Sequence, residues 1–281
     1  MLEEKAIKPL QASIVRNQRL AVDVYHLILA MPEIAVKARP GQFVMLKVAA
    51  GLEPILRRPF SVHRLNRETG AVEIIYQKVG KGTAILANRK PGEEIEVLGP
   101  LGTGFCVGHA RHIGLVGGGM GIAPLLAVAE QAVGEGKEVV IFLGAITKDY
   151  LLARTEFSKL GPLFVVTDDG SAGEKAVVSK PLAEYLQGHS LDLLLACGPI
   201  PMLKALAAIA EAQRIKAQLS LEQNMACGIG ACLGCVVPVK ADTPAGFSYK
   251  RVCHDGPVFW ADEVLFELPA KMEKQGGCGL E

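Results

Sequence analysis

Cys227, Cys232 and Cys235 fall within nine residues of the stretch M-A-C-G-I-G-A-C-L-G-C-V (225–236), and Cys253 follows further on. The gaps between the four number four, two and seventeen residues. Thiols this close together can form a staple, a zinc knuckle or the ligands of an electron carrier. A [2Fe–2S] cluster takes four thiolates, and C-x4-C-x2-C followed by a distant cysteine is its plant-type spacing. Gly228, Gly230 and Gly234 let such a loop wrap tightly and turn backbone N–H groups toward the sulfurs. Zinc is the rival, but its sites usually pair cysteines as C-x2–4-C at both ends, and here only Cys253 stands at the far end. Cys106 and Cys278 lie outside the spacing and are read as non-ligands, with G-G-C-G-L-E (276–281) as a flexible tail.

A second kind of chemistry is written in glycines. G-G-G-M-G-I-A-P (117–124) follows an apolar strand and opens a helix. Such a turn lets backbone approach a pyrophosphate closely, with helix N–H groups and the positive dipole end beside it. Gly117, Gly118, Gly119 and Gly121 supply the turn, and Pro124 is expected in the first helical turn. The pattern is not the strict G-x-G-x-x-G, because Ile122 or Pro124 stands where its last glycine belongs. The plainer reading is a tight turn and nothing more. A similar junction recurs at C-G-P-I-P-M (197–202), where Cys197, Gly198 and Pro199 follow another buried strand. Ligands of open α/β sheets bind beyond the carboxyl ends of the strands, so both turns could face one ligand. For Cys197 the plainer reading is a buried structural thiol.

Three regions must position these residues. Up to about Gly104, Ala12–Val15, Ala21–Ala30, Gln42–Val48, Ser61–Leu65, Val72–Gln77 and Glu94–Leu98 read as short strands. Pro-Gly and Asn-Arg-Glu-Thr-Gly turn signals separate them, with no long amphipathic helix, and this predicts a small antiparallel barrel. From Ile113, continuous apolar runs at 138–143, 163–167 and 192–196 alternate with helical stretches at 151–160, 179–186 and 200–213. That alternation predicts a parallel α/β sheet. From about Gln218 the chain is loop-rich. The expected architecture is therefore multidomain β plus α/β: a barrel over 1–106, a nucleotide-binding domain over 107–217 and a small cysteine module over 218–281.

Bulk composition narrows the classes. Of the 281 residues, 50% are hydrophobic and 21% charged, an ordinary globular balance. A formal net charge of +1 and only 5% aromatics argue against a nucleic-acid or acidic membrane partner. M-L-E-E-K-A-I-K-P-L (1–10) lacks an apolar h-region, and no apolar run reaches the roughly 20 residues a bilayer span needs. The expectation is a cytoplasmic protein, where clustered cysteines serve as metal ligands or catalysts rather than disulfides.

Taken alone, R-P-F-S (58–61) is a weak four-letter match that could equally be an ordinary strand. Together with G-G-G-x-G-x-x-P and C-G-P-x-x-M about 80 residues later, it resembles the ferredoxin–NADP reductase superfamily. The resemblance implies FAD in the barrel and NAD(P) as the second nucleotide. Arg58 would bind a flavin phosphate, Pro59 and Phe60 would pack on the flavin with Phe60 replacing the usual tyrosine, and Ser61 would lie near the ring edge. Ile75, Tyr76 and Gln77 would form the second flavin stretch, and Gly82 and Thr83 a phosphate-contacting loop. The glycine turn would bind the pyrophosphate of NAD, and Cys197, Gly198 and Pro199 would sit near the nicotinamide. Of the pair Arg57–Arg58, which could be solvated surface, only Arg58 fits the motif. Asp168 and Asp169 read as turn caps. No catalytic residue is assigned with certainty.

Nicotinamide exchanges two electrons as a hydride and a cluster takes one at a time, so a flavin is the converter between them. The three regions use the whole chain and leave no pocket for an organic substrate, which implies a partner that exchanges single electrons. S-L-E-Q-N-M-A-C-G-I-G-A-C-L-G-C-V (220–236) and Y-K-R-V-C-H-D-G-P-V-F (249–259) closely resemble the electron-transfer subunits of NAD-dependent, type B dihydroorotate dehydrogenases. The resemblance spans essentially the full length. It implies an oxidoreductase subunit of pyrimidine biosynthesis, carrying FAD and a [2Fe–2S] cluster held by Cys227, Cys232, Cys235 and Cys253. It also implies an FMN-containing catalytic partner in a heterotetramer, with electrons passing from dihydroorotate through cluster and FAD to NAD+. Two neighbouring families share the modules: small subunits of NADH-dependent ferredoxin:NADP oxidoreductases, which typically have aspartate as first cluster ligand, and sulfhydrogenase-type NAD(P) reductases. A nucleotide-binding redox or zinc regulator is the non-enzymatic alternative. NADH is expected over NADPH, because G-A-I-T-K-D (144–149) offers no arginine for a 2′-phosphate, although Lys148 and Arg154 are near.

Overall fold

Alternation along Ala71–Gln77 shows how the first region is built. Val72, Ile74 and Tyr76 are buried on one face, and Ile75 on the other is buried against a different layer. A strand that hides both faces must lie between two packed units. The computed structural model describes residues 8–49, 51 and 53–268, so Cys278 and the expected tail lie outside the described residues.

The first region has seven strands: β1 (Leu10–Ala21), β2 (Val24–Ala30), β3 (Phe43–Lys47), β4 (Arg58–Ser61), β5 (Arg64–Asn66), β6 (Ala71–Gln77) and β7 (Glu94–Leu101). They form one antiparallel sheet in the order β4-β3-β7-β1-β2-β6-β5. Ile14, Leu27, Val44, Phe60, Val72 and Val97 come from six of these strands and meet in one cluster, so the sheet wraps around a single core. Two short helices, α1 (Pro32–Lys37) and α2 (Lys81–Ala87), are added to it. Two expected strands are split. In Ala21–Ala30, Asp23 takes a left-handed φ of 56° and Ala21 pairs with Val24, which makes a tight hairpin. In Ser61–Leu65 the chain changes partner: Val62 N donates to Gln42 O and His63 N to Glu73 O.

The second region carries β8 (His112–Gly118), α3 (Leu125–Gly134), β9 (Glu138–Ala145), α4 (Arg154–Phe157), β10 (Leu163–Thr167), β11 (Glu174–Lys175), α5 (Ser179–Tyr185), β12 (Leu193–Cys197), α6 (Ile200–Ala212) and β13 (Lys216–Ser220). The sheet order β11-β10-β9-β8-β12-β13 is parallel throughout. All five residues of β12 are buried, as expected of a strand covered on both faces. Leu115, Ile141 and Leu195 face α3, while Val116, Phe142 and Leu194 face α5 and α6. The helix expected over 151–160 shrinks to α4, because Ala153 adopts a left-handed φ of 53° just before it.

The cysteine segment leaves β13 and forms a hairpin, β14 (Val236–Lys240) with β15 (Phe247–Arg251). It then returns as β16 (Val258–Trp260), antiparallel to β13 with Ser220 opposite Val258. The boundary expected at 217/218 thus falls inside β13. Among the described residues, no helix is long and apolar enough to cross a membrane.

Candidate functional site

Burial, turns and sheet ends converge on one cavity of about 340 Å³ between barrel and parallel sheet. The barrel supplies Arg58, Pro59, Phe60 and Ser61 from β4, Ile75, Tyr76 and Gln77 from β6, and Thr83 from α2. The sheet side supplies Met120, Ala123 and Pro124 from the glycine turn, and Ser220 to Gln223 with Met225 from beyond β13. Two larger hollows, about 630 Å³ between barrel and α3 and about 590 Å³ beside α6, touch none of the motif residues.

Antiparallel pairing places the β4 motif, because Phe43 faces Ser61 and Met45 faces Pro59. Phe60 meets Tyr76 edge-on at 5.6 Å, and Tyr76 stacks on Tyr25 at 5.4 Å. Burial raises the Tyr76 hydroxyl pKa, although its bond to Asn17 Oδ1 at 3.1 Å offsets part of this. Arg58 lies across the start of α2, so a Cβ at Gly82 would stand 2.8 Å from its Nε. The Thr83 hydroxyl holds the same turn, accepting from Val79 N at 2.9 Å and Gly80 N at 3.1 Å. Arg57 is not solvated surface: it is half-buried and paired with Glu96. Aromatic walls with a few convergent polar groups suit a flat, partly polar ring system.

The two glycine-containing turns meet through backbone. A Cβ at Gly121 would collide with the Cys197 carbonyl, and one at Gly118 with Met202 and Pro199. Gly117 and Gly118 close β8, while Gly119 has a φ of 56° and open space beyond its Cα. The turn continues as one 3-10 turn over Gly119–Ile122, and Pro124 sits just before α3 rather than in its first turn. Gly198 and Pro199 lead directly into α6. Cys197 is buried beneath both turns. Burial and the nearby Glu222 carboxylate push its thiol up to about 12, so it stays protonated.

In the cysteine loop, Cys235 and Cys253 are buried, Cys227 is partly covered and Cys232 is exposed. Gly230, at a φ of 81°, donates its N–H to Cys253 Sγ at 3.1 Å. Cys232 N reaches Cys227 Sγ and Cys253 N reaches Cys235 Sγ, each at 3.4 Å. Burial would raise the Cys227 thiol, but the N–H groups of Ile229, Cys232 and Ala231 and the Cys232 side chain outweigh it and bring it to about 6. Burial and the Cys235 thiol instead push Cys253 up to about 12. Backbone hydrogen bonds join the cysteines in two pairs, Cys232 to the Cys227 sulfur and Cys253 to the Cys235 sulfur. Four sulfurs in two pairs, met by backbone N–H donors, fit a two-iron cluster better than one tetrahedral ion.

Three contributors were given no role by the sequence, although two of them, Glu222 and Arg251, lie within the stretches that carry the family resemblance. Glu222 follows β13, and its exposed surface looks into the cavity, where crowding by its surroundings raises its carboxyl pKa. Its sequence signals are its place just past a buried strand and within the stretch 220–236. Arg251 donates to Gly230 O at 3.1 Å and pairs with Asp255, which pins the cysteine loop. His63, two residues past the flavin motif, is 4% exposed and reaches into the glycine turn. Asp169 does cap a turn, accepting from Ser171 N at 2.9 Å and Oγ at 2.6 Å.

Comparison with known proteins agrees with this layout. Residues 11–105 match the oxidoreductase FAD-binding domain and 115–208 the oxidoreductase NAD-binding domain. Residues 222–265 match the iron–sulfur cluster binding domain of dihydroorotate dehydrogenase B. A structure from work on flavin-based electron bifurcation by an NADH-dependent reduced ferredoxin–NADP oxidoreductase superposes with a TM-score of 0.80 at 33% identity, covering 94% of this chain and 91% of that one. A Neisseria gonorrhoeae ferredoxin NADP+ reductase with bound FAD and NADP shares the fold alone, with a TM-score of 0.63, 18% identity and coverage of 73% and 92%. Fold and site thus define an oxidoreductase subunit that binds FAD, NAD and an iron–sulfur cluster. Subunits from Bacillus cereus (strain Q1) and Bacillus anthracis (strain CDC 684 / NRRL 3495), both named dihydroorotate dehydrogenase B (NAD(+)), electron transfer subunit, are each 43% identical over 259 residues, 91% of this chain and 98% of theirs. The chain belongs to the family of dihydroorotate dehydrogenase B electron transfer subunits.

Proposed function

We propose that this chain carries electrons between a dihydroorotate-oxidising, FMN-containing catalytic subunit and NAD+, in a cytoplasmic heterotetramer serving pyrimidine biosynthesis. The observation that carries the reading is one of adjacency. Met225 lines the cavity, and Cys227, two residues on, belongs to the thiol set. When bound, the flavin supplies the exchange between hydride and single-electron transfer.

The residues divide the remaining work. Arg58 places a guanidinium beside α2 for a flavin phosphate, and Phe60, Ile75 and Tyr76 form the apolar bed for its ring. Ser61 and Gln77 offer polar edges to that bed. Gly117, Gly118, Gly119 and Gly121 admit a pyrophosphate to the end of β8, with Pro124 behind them, while Gly198 and Pro199 shape the nicotinamide side above Cys197. Cys227, Cys232, Cys235 and Cys253 hold the cluster.

The test is to mix the purified chain with a dihydroorotate-oxidising FMN subunit. Dihydroorotate-dependent NAD+ reduction by a complex of two copies of each is the expected outcome. A second reading rests on the 33% identity to the bifurcating oxidoreductase structure. Complex formation with a ferredoxin- and NADP-linked subunit, and none with the dihydroorotate enzyme, favours that reading instead.

A further inference from the structure

Between the flavin motif and the glycine turn stands one buried imidazole that neither motif accounts for. His63 follows β4 by two residues, and its backbone N–H pairs with Glu73 O in the barrel at 2.8 Å. Its ring crosses to the nucleotide domain, where Nδ1 lies 2.7 Å from Ala123 O. A carbonyl can only accept, so Nδ1 carries the proton. Ala123 is 3% exposed and precedes α3, which begins at Leu125, so its carbonyl stands outside the helical ladder. Met120, Ala123 and Pro124 are the residues of this turn that line the cavity opposite Ser61.

We propose that His63 is a positioning residue for the hydride step, a hydrogen-bonded strut that sets the height of the glycine turn above the flavin bed. The proposal rests on the flavin and nicotinamide sites proposed above. Hydride transfer needs its two reacting atoms at about 3–3.5 Å, and a misplacement of about 1 Å can cost roughly a hundredfold. A single bond joining flavin strand and nucleotide turn controls that approach directly. The surroundings keep the ring neutral: burial brings His63 down to about 4, with Glu73 and the Ala123 carbonyl opposing and His26 and Arg64 assisting. Glu73 is itself engaged by His26 at 2.7 Å. The next residue makes an internal control. Arg64 also crosses between domains, but it lands on Glu130 within α3, with Nε to Oε1 at 2.8 Å, rather than on the turn.

Anaerobic stopped-flow reduction of the bound flavin by NADH tests the strut in the full chain. His63→Phe keeps bulk and loses the donor. We expect the rate at saturating NADH to fall about tenfold or more, with the apparent Kd for NADH changed less than about threefold and FAD and iron content unchanged. His63→Gln, which keeps an N–H, should recover to within about threefold of the parent, and Arg64→Ala should stay near the parent rate. A parent-like rate in His63→Phe, or equal slowing by Arg64→Ala, overturns the strut. Nitrogen-15 NMR of the unmodified protein tests it without a variant: an Nδ1–H tautomer is expected, and an Nε2–H tautomer overturns it even where the variants fail to fold. Failure of the underlying reading looks different, since the parent protein itself would then show no flavin reduction by NADH.

Discussion

Cys197 and Cys227 are the same residue type in opposite surroundings. Cys197 ends a fully buried strand, and burial pushes its thiol up to about 12. Cys227 sits in a loop whose N–H groups outweigh burial and bring its thiol to about 6. Burial opposes the charge a ligating sulfur carries, and converging N–H donors stabilise it. Yet Cys253 in the same loop is pushed up to about 12 like Cys197, so company among three other thiols rather than pKa separates the two sites. On the function proposed above, the sheet end uses its cysteine as packing under two backbone turns, while the loop uses its cysteines as ligands. One region binds through main chain and the other through side chains.

The largest expected effect lies in the loop. Cys232→Ser should abolish the cluster, read as loss of iron and of its visible absorbance, while FAD stays bound and NADH–dye reduction persists. Flavin loss in step with iron would show that the two regions are not independent. At the sheet end the sensitive atoms are backbone, so Gly121→Val, colliding with the Cys197 carbonyl, should slow NADH-driven flavin reduction about a hundredfold and leave iron content intact.

Acid should separate the regions next. His63 has a folded-state pKa of about 4, below its ordinary 6.5, so the unfolded chain binds the extra proton between those values. Stability should fall as pH drops from about 6.5 to about 4, by on the order of 3 kcal/mol, and then level off for this group. Urea unfolding of His63→Phe should lack that component. Arg58→Ala should weaken FAD binding about tenfold or more, as expected for one charge-assisted hydrogen bond, measured by flavin release on dilution. The smallest effect is a null: native Cys197 should resist alkylation at pH 8 throughout, and rapid labelling would falsify its role as buried packing.

The same contrast explains what the sequence disclosed. Cysteine spacing and glycine turns are local, so the loop and both turns were legible, as was the alternation that separates barrel from parallel sheet. Local signals failed where tertiary partners decide. The run 61–65 reads as one strand, yet it breaks because Val62 bonds to Gln42, just before β3, and His63 to Glu73 in β6. Glu222 and His63 matter only through what lies across the cavity, and no spacing rule reports that. β16 was missed for the same reason, because its three residues become a strand only by pairing with β13.

That return pairing has a mechanical consequence. The loop is tied at both ends to the same sheet, through Ser220 opposite Val258 and Leu221 N to Pro257 O at 2.9 Å. Thr103 N reaches Gly256 O at 2.6 Å, which fastens it to the barrel as well. An electron carrier on a free tether must diffuse to its donor, and solvent friction sets its pace. A carrier moored at three points has no such journey, so transfer between cluster and flavin should proceed at the same rate in buffer and in viscous glycerol.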